Sequence, residues 1–255
     1  MKSKDLIITK NPKSVFAESI RSIRTNLAFS SLDKKMKLLI NTSPEAGDGK
    51  SFITANLAIA YAQEGKKVLL IDADLRRGRQ HEIFGVLNVT SGGFSNLMLN
   101  YTDSIDLDKY ICKTDEKNID ILPTGPTPPN PVELLGSENN KRLLEKLKKV
   151  YDLVIMDCAP IIGLSDSLIL ASLSDVNLIT VSAKKTKMEN LERLKKLFDQ
   201  SNIKINGVIL NKAMVSGSSY YSYYYNNDYY GEGKKLKWKI CIPIYCMESM
   251  MDLIQ

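Results

Sequence analysis

Lys50 and Ser51 close the stretch LLINTSPEAGDGKS, residues 38–51. An apolar run enters a turn of small residues and a helical pattern leaves it, the setting in which Gly-Lys-Ser binds phosphate. Backbone N–H groups of the turn and of the new helix's first turn point at one spot and attract an anion. Lys50 can reach β- and γ-phosphates, and the Ser51 hydroxyl can ligate Mg²⁺. The nucleotide-contacting set expected from this loop is Gly47, Asp48, Gly49, Lys50, Ser51 and Phe52. The usual spacing places glycine at position 44, where this chain has Pro44; Gly47 is expected to supply the flexibility instead.

Three carboxylates belong to the same chemistry. In LLIDADLR, Asp72 and Asp74 alternate along an extended chain, so both can face one side. Asp157 ends the run VIMD, and Pro160 stops further pairing. In a parallel sheet all carboxyl ends lie on one edge, the edge that carries the phosphate loop. Half-buried carboxylates there are costly unless they meet a cation. Mg²⁺ with nucleotide phosphates supplies one. Helix capping accounts for one such aspartate but not for three on one edge.

The elements that position these groups are legible from periodicity. Phe16, Ile20, Ile23 and Leu27 predict an amphipathic helix over 14–30. Strand 36–41, loop 43–51 and helix 50–64 follow, with Gly65 as the helix terminator. The continuous apolar run 67–72 suits a parallel strand buried on both faces. Short helices are expected over 76–99, a strand at 119–122, an extended loop over PTGPTPPNP (123–131), and a helix at 138–149. Strand 152–157, helix 164–172, strand 175–181, helix 186–200 and a final strand 204–210 complete the pattern. The fold class is α/β, a P-loop NTPase-like, mostly parallel sheet with helices on both faces.

The domain so defined covers residues 1–214. Residues 215–233 then carry seven of the chain's twelve tyrosines: Tyr220, Tyr221, Tyr223, Tyr224, Tyr225, Tyr229 and Tyr230. Serine, asparagine and glycine between them predict a flexible tail. Residues 234–255 are basic, then apolar, and of unassigned role; Lys234, Lys235, Lys237, Trp238 and Lys239 would suit an acidic lipid surface.

The bulk properties fit a globular chain of 255 residues, 44% hydrophobic and 25% charged. A net charge of +6, from 35 basic and 29 acidic side chains, is spread out and does not argue for nucleic acid. Four cysteines show no metal spacing and no disulfide framework, which points to the cytoplasm. No signal-peptide core or membrane-spanning run is present in the sequence.

These motifs, in this order over about residues 10 to 230, resemble the bacterial tyrosine kinases of the capsule and exopolysaccharide type. TSPEAGDGKS is similar to that family's Walker A loop, LLIDADLRRG to its second motif, and VIMDCAP to its Walker B motif. TGPTPPNPVELL resembles a loop of the same family. ESIRSIR matches its E-x-x-R-x-x-R oligomerisation motif, and a tyrosine cluster follows the domain. The resemblance implies that Asp74 and Asp157 hold the metal, and that Asp72 holds it or takes the phenol proton. It places Glu18, Arg21 and Arg24, whose spacing alone fits a solvated helix face, at a subunit interface. It further implies ATP and Mg²⁺ as cofactors and a ring-like homo-oligomer with tail tyrosines phosphorylated in trans. Implied partners are a transmembrane adaptor of the polysaccharide co-polymerase type, which would recruit the protein to the inner face of the membrane, and a cognate tyrosine phosphatase. Asn211, after GVIL, would touch the adenine. Two alternatives carry different expectations. A partitioning or division-site ATPase switch would have lysine at position 45, where this chain has Glu45. A non-catalytic scaffold of the export machinery would have no need of Lys50, Ser51 and the three aspartates.

Overall fold

A computed structural model of the chain describes residues 6–30, 36–86, 92–213 and 240–245. The tyrosine cluster and the segments 234–239 and 246–255 lie outside the described residues. Eight strands form one sheet: β1 (Leu38–Thr42), β2 (Val68–Ala73), β3 (Cys112–Lys113), β4 (Ile119–Leu122), β5 (Leu153–Cys158), β6 (Val176–Ser182), β7 (Gly207–Ala213) and β8 (Ile240–Tyr245). Their order is β3-β4-β2-β5-β1-β6-β7-β8. The six central strands run parallel, and β3 and β8 close the edges antiparallel.

The continuous apolar runs of β1, β2 and β5 are explained by burial on both faces. Alternate residues go to opposite sides, as the period of a strand requires. Leu39, Leu70 and Ile155 pack with α1 (Ile7–Lys10), α2 (Val15–Ser30) and α3 (Lys50–Gln63). Ile40, Ile71 and Met156 pack on the other face with α5 (Phe94–Leu99), α7 (Glu138–Val150), α8 (Asp166–Leu173) and α9 (Met188–Gln200). The short α4 (Gln80–Phe84) joins the first face through Ile83 and α6 (Pro131–Gly136) the second through Leu134 and Leu135. Helix α3 is apolar almost all round and buried along nearly its whole length, as a central helix must be. Its ends are set by Gly49 (φ 101°) and Gly65 (φ 91°), both in the left-handed region.

The structure departs from the sequence expectations in a few places. Residues 204–210 are not the final strand. Strand β8 follows from the 234–255 segment and pairs with β7, and Pro243 is tolerable there because an edge strand spares one row of donors. Pro131 opens α6 instead of closing the extended loop, as its missing N–H and fixed φ allow at a helix start. Helix α1, strand β3 and a single 3₁₀ turn at Leu107–Lys109 are too short to leave a periodic signal.

Candidate active site

Strand β1 lies between β5 and β6, and its carboxyl end feeds the 43–49 turn into α3. Parallel register sets Asp72 beside Asp157, and Asn41 on the other side of Asp157. The acidic strand ends therefore meet beneath the loop because the strands are in step.

Lys50 occupies the middle of this arrangement. Its Nζ lies 3.3 Å from Asp74 Oδ2, 3.3 Å from Asp157 Oδ1 and 3.3 Å from the Ser51 hydroxyl. Burial alone would lower its pKa, but Asp157, Asp74 and Asp72 together hold it above the ordinary value. Asp72 is fully buried; desolvation first, and then Asp157, push its carboxyl up to about 7. Its Oδ2 accepts a hydrogen bond from the Gln80 N–H at 2.8 Å, while its Oδ1 has no partner. Three carboxylates thus face one ammonium, and a buried carboxylate oxygen is left open.

Gln80 was not singled out from sequence, yet it ties the motifs together. Besides its backbone bond to Asp72, its Nε2 donates to Asp157 Oδ2 at 2.8 Å and to the Ser51 carbonyl at 3.0 Å. The turn that delivers it depends on Gly78. A Cβ there would lie 1.9 Å from Thr124 Oγ1 and 2.8 Å from Asp72 Oδ2. Arg76, which continues the Asp72–Asp74 series, turns away to the buried Asp166 at the start of α8, 3.2 Å distant.

Other predicted residues divide in two. Gly47, Gly49 and Ser51 lie in the loop and at the helix start, where backbone N–H groups can meet an anion. The side chains of Asp48 and Phe52 serve the protein instead. Asp48 accepts from the Glu45 N–H and the Thr186 hydroxyl, and burial raises its pKa. Phe52 packs on Phe16 of α2, ring centroids 4.9 Å apart. Asn211 reaches the loop itself, donating from Nδ2 to the Asp48 carbonyl at 2.9 Å. The Glu18/Arg21/Arg24 stripe is also divided. Arg21 pairs with Glu18 at 2.7 Å on the exposed face, whereas Arg24 turns onto the end of α3, meeting the Ala60 carbonyl at 2.8 Å and Glu64 at 3.0 Å.

Residues 36–210 match the family described as an AAA domain. The chain is similar to the tyrosine-protein kinase YwqD of Bacillus subtilis, 38% identical over 88% of this chain and 93% of that protein. It is similar to the putative tyrosine-protein kinase CapB of Staphylococcus aureus, 36% identical over 88% and 96% of the two chains. Among solved structures, the kinase domain of the Escherichia coli tyrosine kinase ETK superposes with a TM-score of 0.77, at 31% identity over 86% of each chain. With a nucleotide-binding P-loop, three aspartates at the same sheet edge and relatives covered nearly end to end, the chain belongs to the bacterial tyrosine-protein kinases.

Proposed function

We propose that the protein transfers the γ-phosphoryl group of ATP to tyrosine hydroxyls, its own tail included, in the control of capsule or exopolysaccharide synthesis. The observation that carries this reading is the buried Lys50 held between Asp74 and Asp157 with Asp72 beside them. Three carboxylates opposed by one ammonium, and an unpartnered Asp72 oxygen, fit a divalent cation arriving with phosphates. Ser51, Asp72, Asp74 and Asp157 would hold Mg²⁺, whose chemistry is to neutralise charge on the transferring phosphoryl group. Lys50 would then exchange the carboxylates for the β- and γ-phosphates. Asp72 would serve either as one of these ligands or, when not on the cation, as the acceptor of the phenol proton.

The phenols come from the tyrosine cluster of residues 215–233, presented by a neighbouring copy in a ring. The P-loop domain is residues 1–214, with β8 from the 234–255 segment added to its sheet edge. Among the described residues no helix is long and apolar enough to cross a membrane. A separate transmembrane adaptor whose cytoplasmic segment activates the kinase would place it at the inner membrane face. A cognate phosphatase would reset the tail. Glu18 and Arg21 face outward and are the members of the stripe suited to a subunit contact; Arg24 already serves α3.

The test mixes a Lys50→Met protein bearing the tail with an active protein whose seven cluster tyrosines are Phe, in Mg²⁺-ATP, followed by phosphosite mapping. Phosphate is expected on Tyr220–Tyr230 of the Lys50→Met chain. An unmodified chain, under conditions where intact protein phosphorylates itself, would overturn transfer in trans.

A further inference from the structure

Three consecutive carbonyls of the phosphate loop are held from outside. Lys185 Nζ donates to the Ala46 carbonyl, Lys212 Nζ to the Gly47 carbonyl, and Asn211 Nδ2 to the Asp48 carbonyl at 2.9 Å. The peptides are trans. In a trans peptide the N–H points opposite to the C=O of the same plane. Drawing the carbonyls of 46, 47 and 48 outward therefore turns the N–H groups of 47, 48 and 49 inward, toward the concavity that must receive a phosphate.

The residues that do this are placed at some structural cost. Lys212 has φ 60°, in the left-handed region that a lysine rarely adopts. It sits where the pairing of β7 with β8 is irregular between Leu210 and Ala213, and its N–H is fixed on its neighbour's Asn211 Oδ1 at 2.8 Å. Asn211 approaches so closely that a Cβ at position 49 would lie 2.0 Å from its Nδ2, so only glycine fits there. Lys185 is carried by the turn after β6, whose Thr186 also holds Asp48.

We propose that Lys185, Lys212 and Asn211 are positioning residues that preset the phosphate-binding loop by clamping its carbonyls. The nucleotide affinity of the protein depends on them although they act through the backbone. The inference rests on the nucleotide-binding reading above, and wild-type binding of Mg²⁺-ADP separates the two. If wild type fails to bind, both readings fall; if wild type binds and the variants match it, the clamp alone falls.

The experiment measures dissociation constants of Mg²⁺-ADP and of adenosine for wild type, Lys185→Met/Lys212→Met, Lys212→Arg and Lys212→Gly, at low and at ~0.5 M salt. The double variant is expected to weaken ADP about tenfold, the size of a lost charge-assisted hydrogen bond, and to leave adenosine unchanged. The loss persists at high salt, because screening removes long-range attraction but not a fixed backbone. Lys212→Arg keeps the affinity. Lys212→Gly weakens ADP while its melting temperature is held or raised, since glycine adopts this φ freely. An equal loss for adenosine, a loss that vanishes at high salt, or a Lys212→Gly protein that melts lower and loses affinity together would overturn the clamp.

Discussion

Aspartates at the two ends of the same sheet are treated in opposite ways. At the amino edge, Asp175 Oδ2 accepts the N–H groups of Lys37 (2.9 Å) and Leu38 (2.8 Å), and Asp152 Oδ2 that of Lys67 (2.9 Å). Asp120 takes the Tyr151 hydroxyl and the Lys113 ammonium on one oxygen, each at 2.8 Å. These carboxylates fasten strand starts to their neighbours. At the carboxyl edge Asp72 is deeper, yet one oxygen has no partner, and a single ammonium serves Asp74 and Asp157. The amino edge is satisfied by the fold; at the carboxyl edge a buried oxygen of Asp72 is left over. An under-satisfied buried carboxylate is a liability to stability, and its persistence marks where the chain gives up stability for chemistry.

Substitutions at the two ends should separate stability from activity. The largest effect belongs to Lys50→Met. Tyrosine phosphorylation measured with labelled ATP should fall at least ~10²-fold. The variant should also melt lower, because it strands Asp74 and Asp157 without their cation, a loss on the order of 3 kcal/mol. Full phosphorylation by this variant would end the mechanism. Next is Asp175→Ala, which orphans two backbone N–H groups. It should cost about 2 kcal/mol in chemical denaturation while leaving the ATP dependence of the folded enzyme unaltered. Gln80→Leu comes third. Phosphotransfer should drop about tenfold as Asp157 and the Ser51 carbonyl lose a common tether, with little change in far-ultraviolet circular dichroism. The smallest effect concerns the outer helix. Glu18→Ala/Arg21→Ala should reduce oligomer mass in light scattering without lowering the melting temperature, whereas Arg24→Ala should lower it by removing a cation from the end of α3.

Much of this architecture was legible because it is local. The loop from Ser43 to Ser51, the Asp72-x-Asp74 alternation and the Asp157 strand end each carry their chemistry within a few neighbouring residues. Periodicity found the central strands, whose ladders are long and doubly buried. Gln80, Lys185 and Lys212 were not legible. They are ordinary residue types at a helix start, in a turn and near the end of a strand, and they acquire a role only when parallel register brings the ends of β2, β6 and β7 beside the loop. Asp48 is legible only in part: its place in the loop is visible, but Thr186, which holds its side chain, lies 138 residues away. Strand β8 was missed because a long segment separates it from β7, and a strand pairing across such a gap leaves no local signal. The Glu18/Arg21/Arg24 spacing marks one helical stripe in the sequence, but Arg24's partners on α3, which divide it, are a tertiary fact.

The most direct test of the unfinished carboxyl edge is thermal melting of wild type and Asp72→Asn, with chelator and then with saturating Mg²⁺-ADP, across pH 5 to 8. A carboxyl whose folded pKa is raised to about 7 from an ordinary 3.8 binds its proton more tightly in the native state. Ligand-free wild type should therefore lose stability as pH rises through this range. Asp72→Asn should flatten that slope and melt higher at pH 8, because the amide has no charge to bury. The same variant should gain less from Mg²⁺-ADP than wild type, since stabilisation by ligand follows its affinity. A variant that melts lower than wild type without ligand, or is stabilised by Mg²⁺-ADP as strongly, would contradict the account that this edge is held incomplete for a cation and its nucleotide.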